Sequence, residues 1–255
     1  MLKLANITAG YNKVPVIRDI DLSFEEGRIT TLIGPNGSGK STLLKAIVGL
    51  CELRQGTIYL KGKKRENIGN KEFAGQVFYL PQSHTAGAIT VGRMVLHGRF
   101  PYIHYPRHYS RKDFEYCGKA MEWIGILPLQ HRRMDELSGG QRQKVYLAMA
   151  LSGEARVFLF DEPATYLDIR HQLELLKLME ELKEEGKTVI AVLHDLDFAL
   201  HISDSLVVMN HGKIIRKGTP EEIIKSGAIE EVFRIKTKSL MDMEGRKHFY
   251  FEPLK

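Results

Sequence analysis

The sequence predicts an α/β fold: a mostly parallel sheet covered by helices on both faces, with a helical block inserted into it. Short β-branched or apolar runs at residues 28–33, 76–80, 156–160, 188–193 and 205–209 read as buried strands. Helical patterns separate several of these runs, as parallel pairing requires. Between residues 91 and 151 the pattern is helical, with Pro101, Pro106 and Pro128 punctuating its loops.

Each element has a local reason. Residues 2–7 alternate apolar and polar with period two, residues 10–13 read as a turn, and residues 16–24 alternate again. Glu25-Glu26-Gly27 turns the chain into the run that stops at Gly34. A helix is expected over residues 40–50 and a further strand over 56–60. A helix over residues 170–185 is closed by Gly186, which suits a left-handed C-cap. Residues 237–255 read as a closing β-hairpin.

Bulk properties narrow the function. With 255 residues the chain has ample length for a core. No apolar run approaches the ~18 residues of a membrane span. Met1-Leu2-Lys3-Leu4-Ala5-Asn6 lacks the pattern of a signal peptide, so the chain is expected to stay in the cytosol. Cys51 and Cys117 have neither metal-site nor disulfide-framework spacing and read as buried fillers. A net charge of +6 permits an anionic partner. Neither basic cluster, residues 61–65 or 107–112, is interleaved with aromatics in a recognisable RNA-binding pattern; charge alone decides nothing, and no nucleic-acid partner is expected.

Three motifs carry chemistry. Gly34-Pro35-Asn36-Gly37-Ser38-Gly39-Lys40-Ser41 matches the phosphate-loop pattern, with a buried strand before it and a helix after. Its glycines let successive N–H groups turn inward on phosphate oxygens, and the helix adds its positive end. Lys40 would reach the β- and γ-phosphates of ATP, Ser41 would place its hydroxyl on Mg²⁺, and Thr42 completes the nucleotide-binding run. Asp161 and Glu162 end the strand at residues 156–160, where open α/β sheets bind ligands. Asp161 suits Mg²⁺, and Glu162 suits polarising a water in line with the γ-phosphate. Leu137-Ser138-Gly139-Gly140-Gln141 reads as a second anion cradle, leading into a helix from about Arg142. Five such residues in order arise by chance in roughly one chain in several thousand.

With the third motif the sequence resembles the ABC ATPase family over nearly its whole length. The resemblance implies a P-loop NTPase core with a mostly parallel sheet, an N-terminal antiparallel β subdomain and an inserted α-helical subdomain. In this layout residues 1–87 and 152–255 form the core and residues 88–151 the subdomain carrying the signature. It further implies roles for Gln82 as the Q-loop glutamine on Mg²⁺ and the attacking water, and Tyr11 as the aromatic that stacks on adenine. Tyr166-Leu167-Asp168 corresponds to the D-loop and His194 to the switch histidine near the γ-phosphate. The family's answer to two cradles in one chain is a head-to-tail dimer sandwiching two MgATP. Ser138, Gly139, Gly140 and Gln141 of one copy would cap the nucleotide held by Lys40, Ser41, Gln82, Asp161, Glu162 and His194 of the other. Ala164 departs from the threonine of many relatives without removing a critical group.

A finer resemblance joins the chain to ATPases of iron–siderophore, haem and cobalamin importers. It rests on His97-Gly98-Arg99-Phe100-Pro101-Tyr102, on the run at residues 161–172, and on Val192-Leu193-His194-Asp195-Leu196 with Phe198-Ala199. This implies integral-membrane permease partners, indirectly a substrate-binding protein, and a place on the cytoplasmic face of the membrane. Iron complexes lead among the cargoes, with haem, cobalamin and molybdate-type oxyanions behind. Residues 88–109 would receive the permease. The alternative is an ABC ATPase acting on nucleic acid, whose long coiled-coil insertions or paired cassettes are not found in this sequence.

Overall fold

The chain opens on a hairpin whose turn is tighter than periodicity alone implies. Strand β1, Leu2–Tyr11, pairs antiparallel with β2, Val14–Phe24. The connection is Asn12-Lys13, both at positive φ, as a two-residue hairpin turn demands. The right-handed twist of the strands favours that short connection over the four-residue turn expected. The computed structural model describes residues 1–82, 87–103, 105, 108–165, 167–241, 243 and 247–254. Of the sequence expectations, those on His104, Pro106, Arg107, Tyr166, Asp242, residues 244–246 and Lys255 lie outside the described residues.

Strand β3, Ile29–Ile33, is buried at every position, and the phosphate loop joins it to α1, Lys40–Val48. Gly49 closes α1 at φ 76°, its N–H donating to Ala46 O while Leu50 N–H reaches Lys45 O. Next come β4, Glu52–Leu60, and the short β5, Lys63–Lys64. Helix α2, Asn70–Ala74, precedes β6, Val77–Leu80. The helical stretch then comprises α3, Val91–Leu96, α4, Arg111–Trp123, and α5, Gly139–Ser152, joined by 3₁₀ turns. Strand β7, Val157–Asp161, leads to α6, Ile169–Glu184. Gly186 ends α6 at φ 73°, with Lys187 N–H donating to Leu182 O.

Beyond it lie β8, Thr188–Val192, α7, Leu196–Ile202, β9, Ser205–Asn210, and β10, Lys213–Gly218. Two short helices follow, α8, Pro220–Ser226, and α9, Ala228–Phe233. The hairpin of β11, Ile235–Met241, and β12, Lys247–Pro253, comes last.

These elements form two compact units, residues 1–65 with 178–255, and residues 66–177. The first holds the antiparallel sheet β2-β1-β4-β5 and the run β10-β9-β3-β8. There β3 is parallel to both β8 and β9, and β10 antiparallel to β9. Strands β3 and β8 are apolar or β-branched and buried throughout, as strands covered on both faces are. Each buried Ile, Val or Leu there contributes roughly 1.5–3 kcal/mol of transfer free energy. In the second unit β6 and β7 pair in parallel in register from Val77↔Val157 to Leu80↔Phe160. The α/β class, the parallel pairings and the N-terminal antiparallel sheet are thus as expected from the sequence.

Within the second unit, Gly98 is half-buried and Arg99 lies in the interior. Arg99 is buried, its Nε donating to Asp113 Oδ1 at 2.8 Å and its Nη1 to Ser152 O at 2.9 Å. Tyr102 and Tyr116 cover the guanidinium, with ring centroids at 4.4 and 4.3 Å. A Cβ on Gly98 would stand 2.0 Å from Met149 O, so only glycine lets the chain run this close to α5. Gly98→Ala is therefore expected to destabilise this unit by about 1–3 kcal/mol, measured by denaturant unfolding.

Candidate nucleotide-binding site

The phosphate loop leaves β3 at its C-terminal end and returns as α1. Gly34 adopts φ 154° and Gly39 φ 100°, conformations an L side chain resists. A Cβ on Gly34 would also meet Met209 O at 2.2 Å. The loop is pinned by Ser38 N–H on Pro35 O and by Gly212 N–H on Ser38 O. Lys40 is buried, and its ammonium spans the loop, donating to Gly34 O at 2.7 Å, Pro35 O at 2.9 Å and Ser38 Oγ at 3.4 Å. These bonds fix the ammonium at the mouth of the loop, where a phosphate would meet it. Asn36 and Gly37 form the outer turn, and Ser41 and Thr42 stand in the first turn of α1.

In the same unit His194 lies just past β8 and is exposed. The next residue, Asp195, caps α7 by accepting from Phe198 N–H at 3.0 Å. Tyr11 ends β1 with 40% of its surface exposed, so its ring is open to contact.

The second unit holds the acid pair. Asp161 is buried at the end of β7, and Tyr79 of the neighbouring β6 donates its hydroxyl to Asp161 Oδ2 at 2.8 Å. Glu162 follows at φ 54°, a left-handed conformation that costs a non-glycine residue roughly 1–2 kcal/mol. This turns the carboxylate out of the strand's alternation. Gln82, just beyond β6, donates from Nε2 to Glu162 Oε2 at 2.5 Å. The structure thus brings the predicted Gln82 and Glu162 together, and adds Tyr79, which the sequence reading passed over. Tyr79 carries no signal of its own in sequence, since β6 meets β7 only through the fold.

The signature differs from expectation in one respect. Helix α5 starts at Gly139 rather than near Arg142, so both glycines are its first residues. Ser138 is the N-cap: its Oγ accepts from Gln141 N–H at 3.3 Å, and Gln141 Oε1 accepts from Ser138 N–H at 3.1 Å. This reciprocal cap explains why the helix begins directly after the serine. A Cβ on Gly140 would contact the His171 ring at 3.5 Å. Asp168 accepts from His171 N–H at 2.9 Å and faces His171 Nδ1 at 2.7 Å. The backbone bond from His171, followed by its ring, holds the Asp168 carboxyl below the usual carboxylate range. His171, too, was not singled out in the sequence for a role.

The sequence matches the family described as ABC transporter over residues 17–165, a stretch containing the phosphate loop, Gln82, the signature and the acid pair. The chain is 38% identical over 243 residues to the ferric enterobactin transport ATP-binding protein FepC of Escherichia coli (strain K12), covering 94% of this chain and 90% of that protein. It is 37% identical over 248 residues to the iron(3+)-hydroxamate import ATP-binding protein FhuC of Bacillus subtilis (strain 168), covering 96% and 92%. Among solved structures it is similar to the dimeric, post-hydrolysis ATP-binding cassette MJ0796 bound to ADP and Pi. There the TM-score is 0.76 and the identity 25%, over 86% of this chain and 99% of that one. The family match over residues 17–165 and the likeness to these relatives across nearly its whole length place the chain in one family: it belongs to the ABC transporter family.

Proposed function

We propose that this chain is the ATP-hydrolysing subunit of a membrane importer for an iron complex, working as a head-to-tail pair on the cytoplasmic face of the membrane. The observation that supports the reading is that one chain bears a loop closed by Lys40 and a glycine-led helix start capped by Ser138, two features that suit anion cradles. The iron-chelate cargo is supported by relatives named for ferric enterobactin and iron(3+)-hydroxamate transport. Among the described residues no helix is long and apolar enough to cross a membrane; the membrane path is assigned here to permease subunits, with a binding protein delivering cargo to them.

In this reading Lys40 neutralises charge on the β- and γ-phosphates while the amides from Gly34 to Ser41 wrap their oxygens. Tyr11 stacks on adenine. Ser138, Gly139, Gly140 and Gln141 of the second copy close over the γ-phosphate, with Asp168 and His194 lining the approach. Residues 88–151 act as the part that carries the signature and meets the permease. Glu162, steadied by Gln82, orients the attacking water and takes its proton. Ser41, Gln82 and Asp161 offer a hydroxyl, an amide carbonyl and a buried carboxylate, an all-oxygen set that fits Mg²⁺. Bound there, the ion supplies charge neutralisation for the phosphates. Tyr79→Phe removes the hydroxyl that orients Asp161, and is expected to lower ATPase activity about 10-fold and raise the Mg²⁺ needed for half-maximal rate.

The test is recovery of tagged Glu162→Gln protein with MgATP from detergent-solubilised cells. A stoichiometric polytopic membrane protein is expected. Reconstituted with it and its binding protein, ATPase activity should rise with ferric chelates over haem, cobalamin or molybdate. Recovery of nucleic acid with no membrane protein would overturn the importer reading.

A further inference from the structure

Three metal-ligating side chains meet on the first unit, on elements that play no part in the nucleotide chemistry above. Asp197 and His201 stand one turn apart on α7, and His248 lies on β12, paired with Leu240 of β11. One ligand atom from each lies within 4.8 Å of the other two. The contacts around them join the helix to the hairpin. Phe249 N–H donates to Asp197 Oδ1 at 3.2 Å, and the His248 and Phe249 rings lie 5.5 and 5.9 Å from that of His201. His201 Nδ1 is 2.7 Å from the carbonyl oxygen of Asp197. The same Nδ1 stands 3.3 Å from Asp197 Oδ1, so the helix turn already brings an imidazole nitrogen and a carboxylate oxygen together.

We propose that Asp197, His201 and His248 form a binding site for a borderline divalent transition-metal ion, Zn²⁺ in type, which clips the C-terminal hairpin to α7. Two imidazoles and one carboxylate select such an ion over Mg²⁺ or Ca²⁺, which take all-oxygen shells. Three protein ligands leave a position for water. Metal–nitrogen bonds of ~2.1 Å place neighbouring ligand atoms ~3.3 Å apart, so the trio must draw together by up to ~1.5 Å. Both histidines are exposed and Asp197 is half-buried, so rotation about their side-chain bonds achieves this without moving the core. The two nearer ligands are held by one helix turn, and the third closes a loop back from β12. Binding therefore ties down the hairpin.

The experiment uses the full, untagged chain, with Mg²⁺ and ADP in excess to fill the nucleotide site. Equilibrium dialysis against Zn²⁺ should find a single tightly held equivalent. His201→Ala and His248→Ala should each weaken it at least ~10-fold. Their surface positions leave folding intact, which melting without Zn²⁺ checks. Zn²⁺ should also slow amide exchange in β12 of the parent chain and not of the His201→Ala/His248→Ala double variant. Zn²⁺ binding that both substitutions leave unchanged would overturn the site. Binding that fails to slow β12 exchange would overturn the clip.

Discussion

Glu162→Gln is expected to bind MgATP with near-parental affinity, accumulate as an ATP-bound dimer and hydrolyse at least ~10²-fold more slowly, a rise of about 3 kcal/mol in the barrier. The substitution is nearly isosteric. An amide oxygen still accepts from Gln82 Nε2, so the left-handed backbone at φ 54° and the position of the side chain should survive. What disappears is the negative charge and the capacity to take a proton from water. ATP affinity should hold because the substitution keeps the shape of the side chain and leaves intact the loop bonds from Lys40 to Gly34 O, Pro35 O and Ser38 Oγ. Single-turnover phosphate release measures the chemical step, and gel filtration with ATP measures the dimer. A Glu162→Gln chain that hydrolyses within a few-fold of the parent would remove Glu162 as the base.

The strain at Glu162 shows where sequence reasoning stops. Its motif was legible because the strand, the acids and the turn are contiguous. Its conformation and its bond to Gln82, 80 residues away, belong to the fold. The phosphate loop was legible for the same reason, and so was the glycine that closes α6, since a left-handed cap needs only its own position to be read. The reciprocal cap between Ser138 and Gln141 spans three residues, yet α5 was expected to start late because two glycines read as loop. Capping outweighs their weak helix propensity of ~1 kcal/mol each. Tyr79 and His171 escaped notice because their partners are set by packing. Arg99 went the other way. Its run looked like material for a docking surface, whereas the structure makes the arginine a buried strut. A charge run is usually solvated, so nothing in sequence distinguishes the buried exception.

Arg99→Ala is expected to cost the second unit about 3–5 kcal/mol, since it strips the partner from a buried carboxylate and empties the space between two tyrosine rings. Burial pushes the Asp113 carboxyl up, but bonds from Ser110 and Arg99 outweigh this and hold it below the usual range. A depressed folded-state pKa stabilises at pH above the unfolded value of ~3.9 and is lost as pH falls through the folded value. In the parent chain that contribution is therefore complete at neutral pH. Without Arg99 the burial effect on Asp113 is less opposed and its pKa rises, so protonation relieves the defect. The penalty of Arg99→Ala should be smaller at pH 4 than at pH 7. Asp113→Asn should lessen it at pH 7 in the double variant. Arg99→Lys should not rescue it, since a lysine cannot lie flat between Tyr102 and Tyr116 while reaching both Asp113 and Ser152 O. Trp123, the sole tryptophan, lies at the end of α4 and reports this unfolding by fluorescence in urea. Equal penalties at both pH values would mean that the loss is packing alone, and that the Asp113 charge contributes nothing to it.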